Sequence, residues 1–338
     1  MPTKHLTPNM ILFSIMLTLS TIFILNSTNW LFVWVGFEIN LISFLPLMML
    51  SKQKKELSAT VTYFLVQAIS SPLFLFSSLS LLYNSQLNIL PMLTSMSSLI
   101  LAMSLLMKLG CAPCHYWFPK VMNSLSWPMA MVLSTWQKIP SIMIIALMGD
   151  IWDIKFFFII ITLNALIGSI GGLNQTQLRS LLSYSSINHM AWMLASSLMS
   201  PITSIMYLLL YCLVSSSLFL TLMMMNKTLL PQFNSVVGWD HNVSLLLFMN
   251  IFSLMGAPPL TGFFPKLMVV YSLSYIYPMI STILILSSMI SMYYYLMVFI
   301  NSTISSFKPL LHINNRPMMW MVSLSPIMLF PLMLVNFH

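Results

Sequence analysis

The stretch SLLMKLGCAPCHYWFPK, residues 104–120, decides how the rest of the chain is read. Lys108 closes a long apolar run with no acidic residue within a helical turn, and the helix then meets Gly110-Cys111-Ala112-Pro113. An ammonium group in hydrocarbon costs roughly 2.5–3.5 kcal/mol on insertion scales, so a chain that keeps one there supplies a distant partner, a water path or a function. The interruption sharpens the point. A helix broken at membrane depth is tolerated only where its freed backbone groups are buried in protein or line a wet cavity.

The surroundings of this stretch are those of a membrane protein. The chain is 59% hydrophobic and 5% charged, with a mean hydropathy of +0.92, and no polar segment is long enough to fold as a soluble domain. We expect a single integral membrane domain over residues 1–338. Spans need about 20 mainly apolar residues each. Eleven are predicted, at 8–25, 30–50, 59–82, 89–110, 127–148, 154–172, 178–198, 201–225, 243–273, 278–300 and 318–336. No secretory signal or Arg-rich presequence precedes the first, which implies insertion from the compartment of synthesis.

A net charge of +8 suggests a nucleic-acid binder, but the positions of the cations argue for membrane orientation and against nucleic acid. With the N-terminus inside, the inside segments carry Lys4, Lys52, Lys54, Lys55, Lys120, Arg179, Lys227, Lys308 and Arg316, whereas the outside segments carry Lys155 alone. The eleventh span then ends outside. Lys52 to Glu56 reads as an inside loop that sets topology, and Asp150 and Asp153, close to Lys155, as solvated groups.

Two segments depart from plain spans: 90–120 with its Gly-Cys-Ala-Pro, and 243–273 with Gly256-Ala257-Pro258-Pro259-Leu260-Thr261-Gly262. They are the fourth and ninth elements and so cross in opposite directions, and each holds one lysine near its break. This is the pattern of two discontinuous helices in an inverted repeat of five, spans 1 to 5 against 6 to 10. The fold class expected is thus an all-α polytopic membrane protein of about eleven transmembrane helices in inverted five-helix repeats.

Within the spans the ionisable residues are few. Glu38 is the only acid placed deep in one, and Lys108 is its candidate partner; an opposite charge within about 4–6 Å would keep both groups ionised. Lys138 lies in 127–148 with Ser134 four residues before it and Ser141 three after, on one helical face. Lys266 follows Pro265 in the second half of the ninth segment. Neither has an acid in its own span, so each can release and regain a proton, as a relay requires. His189, with Ser185 one turn before it, adds a group that titrates near neutral pH. Three cysteines, Cys111, Cys114 and Cys212, are too few and too apolar in setting for a disulfide framework, and no phosphate loop, metal cluster or nucleophile triad appears.

The residues resemble one family, the antiporter-like membrane subunits of respiratory complex I. The resemblance rests on WVGFEINLISFLPL at 34–47, MKLGCAPCHYWFPKV at 107–121, STWQKIPS at 134–141, GGLNQTQLRSLLSYSSINHMAW at 171–192 and GAPPLTGFFPK at 256–266, in order along most of the chain. Eleven spans also look like the shortened animal form, which lacks three N-terminal helices of the bacterial relatives. The resemblance implies that Glu38 is the glutamate paired with a lysine, Lys108 that lysine, Lys138 the central lysine, His189 the link beyond it and Lys266 the distal lysine. It implies a location in the mitochondrial inner membrane, with the N-terminus on the matrix side and the C-terminus on the intermembrane-space side. No cofactor is expected in this chain; NADH, FMN, iron–sulfur clusters and ubiquinone would belong to partner subunits. The partners implied are a neighbouring antiporter-like subunit, small membrane subunits and lipid, not a second copy of the chain.

This chain departs from the family at two positions. Cys114 stands where an aromatic is common, which should loosen packing beside the break, and Lys120 stands where an acid is common, which removes a negative charge near the inside mouth. Cys111-Ala112-Pro113-Cys114-His115 also fits the attachment pattern of a c-type haem. Such attachment in mitochondria belongs to the outer side of the membrane, and the charge count puts this motif inside, which rejects it. The resemblance implies a membrane-arm subunit that relays protons through this buried Glu/Lys/His chain, driven by NADH-to-ubiquinone electron transfer in partner subunits, and two competing functions remain open at this point. One is a free-standing cation/proton antiporter, although Glu38 is the only carboxylate on offer; the other is a membrane scaffold without transport of its own.

Overall fold

The computed structural model describes residues 8–49, 54–87, 91–225, 228, 241–258 and 260–306. The described residues form thirteen α-helices and one 3-10 turn, Gly149–Ile151, with no extended strand. In chain order the helices are α1 Pro8–Asn26, α2 Trp30–Met48, α3 Lys54–Leu87, α4 Pro91–Leu109, α5 Trp117–Ser124, α6 Trp127–Ser134, α7 Lys138–Leu147, α8 Ile154–Gly171, α9 Leu178–Ser197, α10 Pro201–Met225, α11 His241–Met255, α12 Phe263–Ile276 and α13 Pro278–Ser306. Seven are long and apolar enough to cross a membrane: α1, α2, α3, α6 with α7 taken together, α8, α10 and α13. The fourth and ninth predicted spans are the split pairs α4/α5 and α11/α12. The eleventh, at 318–336, lies outside the described residues.

The two expected breaks are built alike. Helix α4 ends on Gly110 at φ 70° and α11 on Gly256 at φ 82°, a conformation that a side chain disfavours. In each case the glycine N–H bonds back three residues and the next N–H bonds back five: Gly110 to Met107 and Cys111 to Leu106, Gly256 to Ser253 and Ala257 to Phe252. This paired cap satisfies carbonyls that the interruption would otherwise strand in a membrane. The first break has further support. Trp117 Nε1 donates to the Met107 carbonyl at 3.2 Å, Gln67 Nε2 to the Lys108 carbonyl at 3.5 Å, and the Ala112 N–H to Asn164 Oδ1 of α8 at 2.8 Å.

The fifth span, expected as one helix over 127–148, is instead interrupted at 135–137 between α6 and α7. Pro140 explains it: proline has no N–H to offer the Trp136 carbonyl, and its ring clashes with that carbonyl in a continuous helix. Proline is tolerated in the first turn of a new helix, which is where α7 places it. The chain bridges the gap through a widened turn in which the Gln137 N–H reaches the Val132 carbonyl at 3.1 Å. The Lys52-to-Glu56 loop is also corrected in part. Lys54, Lys55 and Glu56 belong to the first turn of α3, and Glu56 is buried and interacts electrostatically with Arg179 at the start of α9. Arg179 also donates to the Leu125 carbonyl and lies over the Trp127 ring.

Packing repeats with the elements. Helix α1 packs on α2, α2 on α3, α3 on both α4 and α5, and α7 on both α4 and α1. The same pattern recurs in α8 on α9, α9 on α10, α10 on both α11 and α12, and α13 on both α11 and α8. Five consecutive spans are thus laid out twice. Helix α9 is the odd member: eighteen of its twenty residues are buried, serines, Asn188 and His189 among them, and it is too polar to count with the seven membrane-length apolar helices. Protein surrounds it, so its polar side chains meet partners rather than lipid.

The hydrophobic core separates into two clusters. One gathers Val33, Phe37, Phe74, Leu105, Ile142, Met190, Tyr211 and Val269; the other gathers Phe44, Phe118, Leu133, Ile187, Val214 and Leu254. Helices α2, α9 and α10 pass from one cluster to the other, as do the paired segments α6/α7 and α11/α12. A seam runs between the two.

Candidate functional site

The predicted polar residues lie along that seam. Glu38 follows Phe37 of the first cluster and precedes Phe44 of the second; Lys138 lies between Leu133 and Ile142, His189 between Ile187 and Met190, and Lys266 between Met255 and Val269. Lys108 belongs to the last turn of α4, just before the chain crosses to Trp117 in the second cluster. Charged and amide groups cannot join an apolar cluster without losing hydration, so they collect where two clusters abut.

Each lysine is held differently. Lys108 Nζ stands 3.6 Å from the centre of the Phe37 ring and 5.3 Å from that of Phe74. The Lys108 ammonium thus meets an aromatic face, and half-buried Glu38, one residue beyond Phe37, acts on it through space. Lys266 reaches back from α12 and donates to the Met255 carbonyl at 2.8 Å, capping the C-terminus of α11. A cation there meets the negative end of the helix dipole. Gly256 makes room for it: a Cβ at that position would lie 3.2 Å from Lys266 Nζ.

Lys138 has neither advantage. It is the first residue of α7, at the positive end of that helix, and its ammonium is 3% exposed as a residue with no hydrogen-bond partner among the described residues. Its nearest recorded company is the rings of Phe118 at 5.1 Å and Tyr211 at 5.2 Å, with Cys111 and Cys212 in electrostatic range. Gln137 Nε2 beside it is likewise buried without a partner. Both residues line a small cavity with Lys108, Asn40, Gln67 and Ser141, with a volume of about 20 Å³, room for about one water. A space with this many polar groups is one in which ordered water is stable.

His189 continues the line. Its Nδ1 lies 3.0 Å from the Tyr207 hydroxyl, its ring packs 5.2 Å from that of Tyr211, and it feels the charges of both Lys138 and Lys266. Trp192, one turn on, offers its ring to Lys266 at 5.9 Å. The structure therefore brings together four of the five predicted residues through the cavity and through His189, with Glu38 at one end. Sequence reasoning missed Tyr207, Tyr211, Gln67, Gln137 and Asn164. Tyr207 and Tyr211 were detectable as two hydroxyls one helical turn apart in an apolar span. Among the described residues no group of three or more metal-ligating side chains forms, and the three cysteines are free.

Residues 27–307 match the family described as NADH:quinone oxidoreductase/Mrp antiporter, transmembrane. NADH-ubiquinone oxidoreductase chain 2 of Anopheles gambiae is 40% identical over 84% of this chain and 83% of its own length. The Lumbricus terrestris protein is 37% identical over 88% and 87%, and the Bos taurus protein 32% identical over 97% and 95%. The chain belongs to the NADH-ubiquinone oxidoreductase chain 2 family. Its fold is that of a chain in respiratory complex I from Thermus thermophilus, with a TM-score of 0.82 at 21% identity, covering 96% of this chain and 78% of that one. A chain of the Mrp complex from a Dietzia species superposes with a TM-score of 0.77 at 20% identity, over 86% of this chain and 59% of the other. This chain thus shares its membrane fold with a chain of each of these two complexes.

Proposed function

We propose that this chain is a membrane-arm subunit of NADH-ubiquinone oxidoreductase that carries protons across the mitochondrial inner membrane along Glu38, Lys108, Lys138, His189 and Lys266. The observation that carries the reading is the seam: these ionisable side chains share the boundary between two apolar clusters, with a polar cavity joining Lys108 to Lys138. The chain holds no redox group of its own in this reading. NADH, FMN, iron–sulfur clusters and ubiquinone belong to partner subunits, among them a neighbouring antiporter-like subunit and small membrane subunits, and the N-terminus faces the matrix.

The physics of a step follows from how each lysine is held. Glu38 stands one residue beyond the Phe37 ring that Lys108 lies over, so moving that carboxylate changes the field at the ammonium and starts the proton on its way. The proton crosses the cavity to Lys138, whose ammonium has no acceptor to retain it. It then passes toward His189, and the arriving charge acts on Lys266, where the α11 carboxyl end stabilises a cation. Replacing Lys138 with Met should leave the complex assembled and sharply reduce protons moved per NADH, measured by pH-dye uptake in sealed vesicles. Normal proton stoichiometry together with normal NADH oxidation in that variant would remove the relay.

A further inference from the structure

Beside His189 stands a pair of tyrosines that the relay above does not use, one of which also meets Lys138. Tyr207 and Tyr211 are one helical turn apart on α10 and therefore face the same way. Both are buried, at 2% and 7% exposure. Tyr207 and His189 are joined by a 3.0 Å contact between hydroxyl and Nδ1. Tyr211 presents its ring to Lys138 Nζ at 5.2 Å and to the His189 ring at 5.2 Å, and its hydroxyl turns to Ser186, one turn before His189 on α9. Among the described residues Tyr211 is the side chain with recorded ring contacts to both members of the step.

We propose, resting on the relay above, that Tyr207 and Tyr211 are positioning residues for proton transfer between Lys138 and His189, with separate tasks. Tyr207 works through its hydroxyl. By accepting a hydrogen bond from Nδ1–H it fixes the rotation and tautomer of the imidazole and leaves Nε2 as the nitrogen that gains and loses the travelling proton. Tyr211 works through its ring. Its face gives the Lys138 ammonium a weak cation–π contact, and its bulk keeps Lys138 and His189 at a fixed separation. The proton that leaves Lys138 Nζ arrives at His189 Nε2 and departs from the same atom, and neither tyrosine changes its own protonation over a cycle. The other ionisable groups around His189 are Lys266 from α12 and, near the two tyrosines, Cys212 and Tyr295.

The two tasks predict opposite responses to the same substitution. In intact complex reconstituted into vesicles, Tyr207→Phe keeps the ring and loses the hydroxyl, and should slow NADH-driven proton transport by about tenfold, with an increased solvent deuterium isotope effect. Tyr211→Phe keeps the ring and should transport almost normally, whereas Tyr211→Leu should fall as Tyr207→Phe does. Assembly is checked for each on a native gel, and the isotope effect separates a proton-transfer defect from loose packing. Normal rate and isotope effect in Tyr207→Phe, or equal loss in Tyr211→Phe and Tyr211→Leu, would overturn the assignment. Lys138→Met run alongside keeps the two claims apart: if it transports normally the relay itself fails, and if it is impaired while Tyr207→Phe is not, only the tyrosine assignment fails.

Discussion

A glycine in the left-handed region does more at the second break than turn the chain. A Cβ at Gly256 would lie 3.1 Å from Lys266 Cδ as well as close to Nζ, so the residue that ends α11 also sets where the distal lysine rests. Gly256→Ala is expected to cost about 1–2 kcal/mol for the backbone conformation alone. It should also draw Lys266 off the Met255 carbonyl, lowering both the thermal midpoint of the purified complex and its transport rate. The lysines themselves were legible in the sequence because a charge in an apolar span contradicts its surroundings. Their manner of stabilisation was not, since whether a lysine meets a ring, a carbonyl or nothing depends on which helix comes alongside. Asn164 illustrates the limit. An asparagine in an apolar helix announces a hydrogen bond but does not say that the bond goes to Ala112, fifty-two residues earlier.

Among elements, the two glycine-marked breaks were readable and the third was not. Gly-Cys-Ala-Pro and Gly-Ala-Pro-Pro carry local signals strong enough to stop a helix without tertiary help. Thr135-Trp136-Gln137 carries none, and the cause, Pro140, sits inside what then becomes the next helix. A proline three or four residues beyond a break is easily taken for an ordinary kink, as Pro46 in α2 and Pro72 in α3 are, neither of which divides its helix. Pro140→Ala restores the missing N–H and should let α6 and α7 close toward one helix, turning Lys138 away from its cavity. Transport per NADH is expected to drop by several fold at normal assembly, and an unchanged ratio would mean that the break does not aim Lys138.

On the scale of the molecule, the outer helices and the inner ones obey different rules. Helix α1 buries only Leu17, Ser20, Thr21 and Ile24, sets Phe13 against the second cluster and turns most of its other apolar side chains outward, as lipid or a partner helix requires. Glu56, Leu125 and Arg179, which the alternation of cations along the sequence assigns to one side, do meet. Membership of the large enzyme predicts that the chain, located by mass spectrometry after gentle solubilisation, co-migrates on a native gel with a very large NADH-oxidising band. Migration alone would instead favour the free-standing antiporter.

The polarity of α9 bears on how such a molecule can be made. A segment with buried serines, an asparagine and a histidine gains little by entering lipid alone, so it must arrive with company. Helix α8 is that company. It is strongly apolar, precedes α9 in the chain and packs against it so closely that a Cβ at Gly168 would lie 2.8 Å from the Asn188 Cα. The pair is suited to enter the bilayer as one hairpin, the apolar arm carrying the polar one. The helices that later shield α9 then close over it, and the order of synthesis becomes an order of burial.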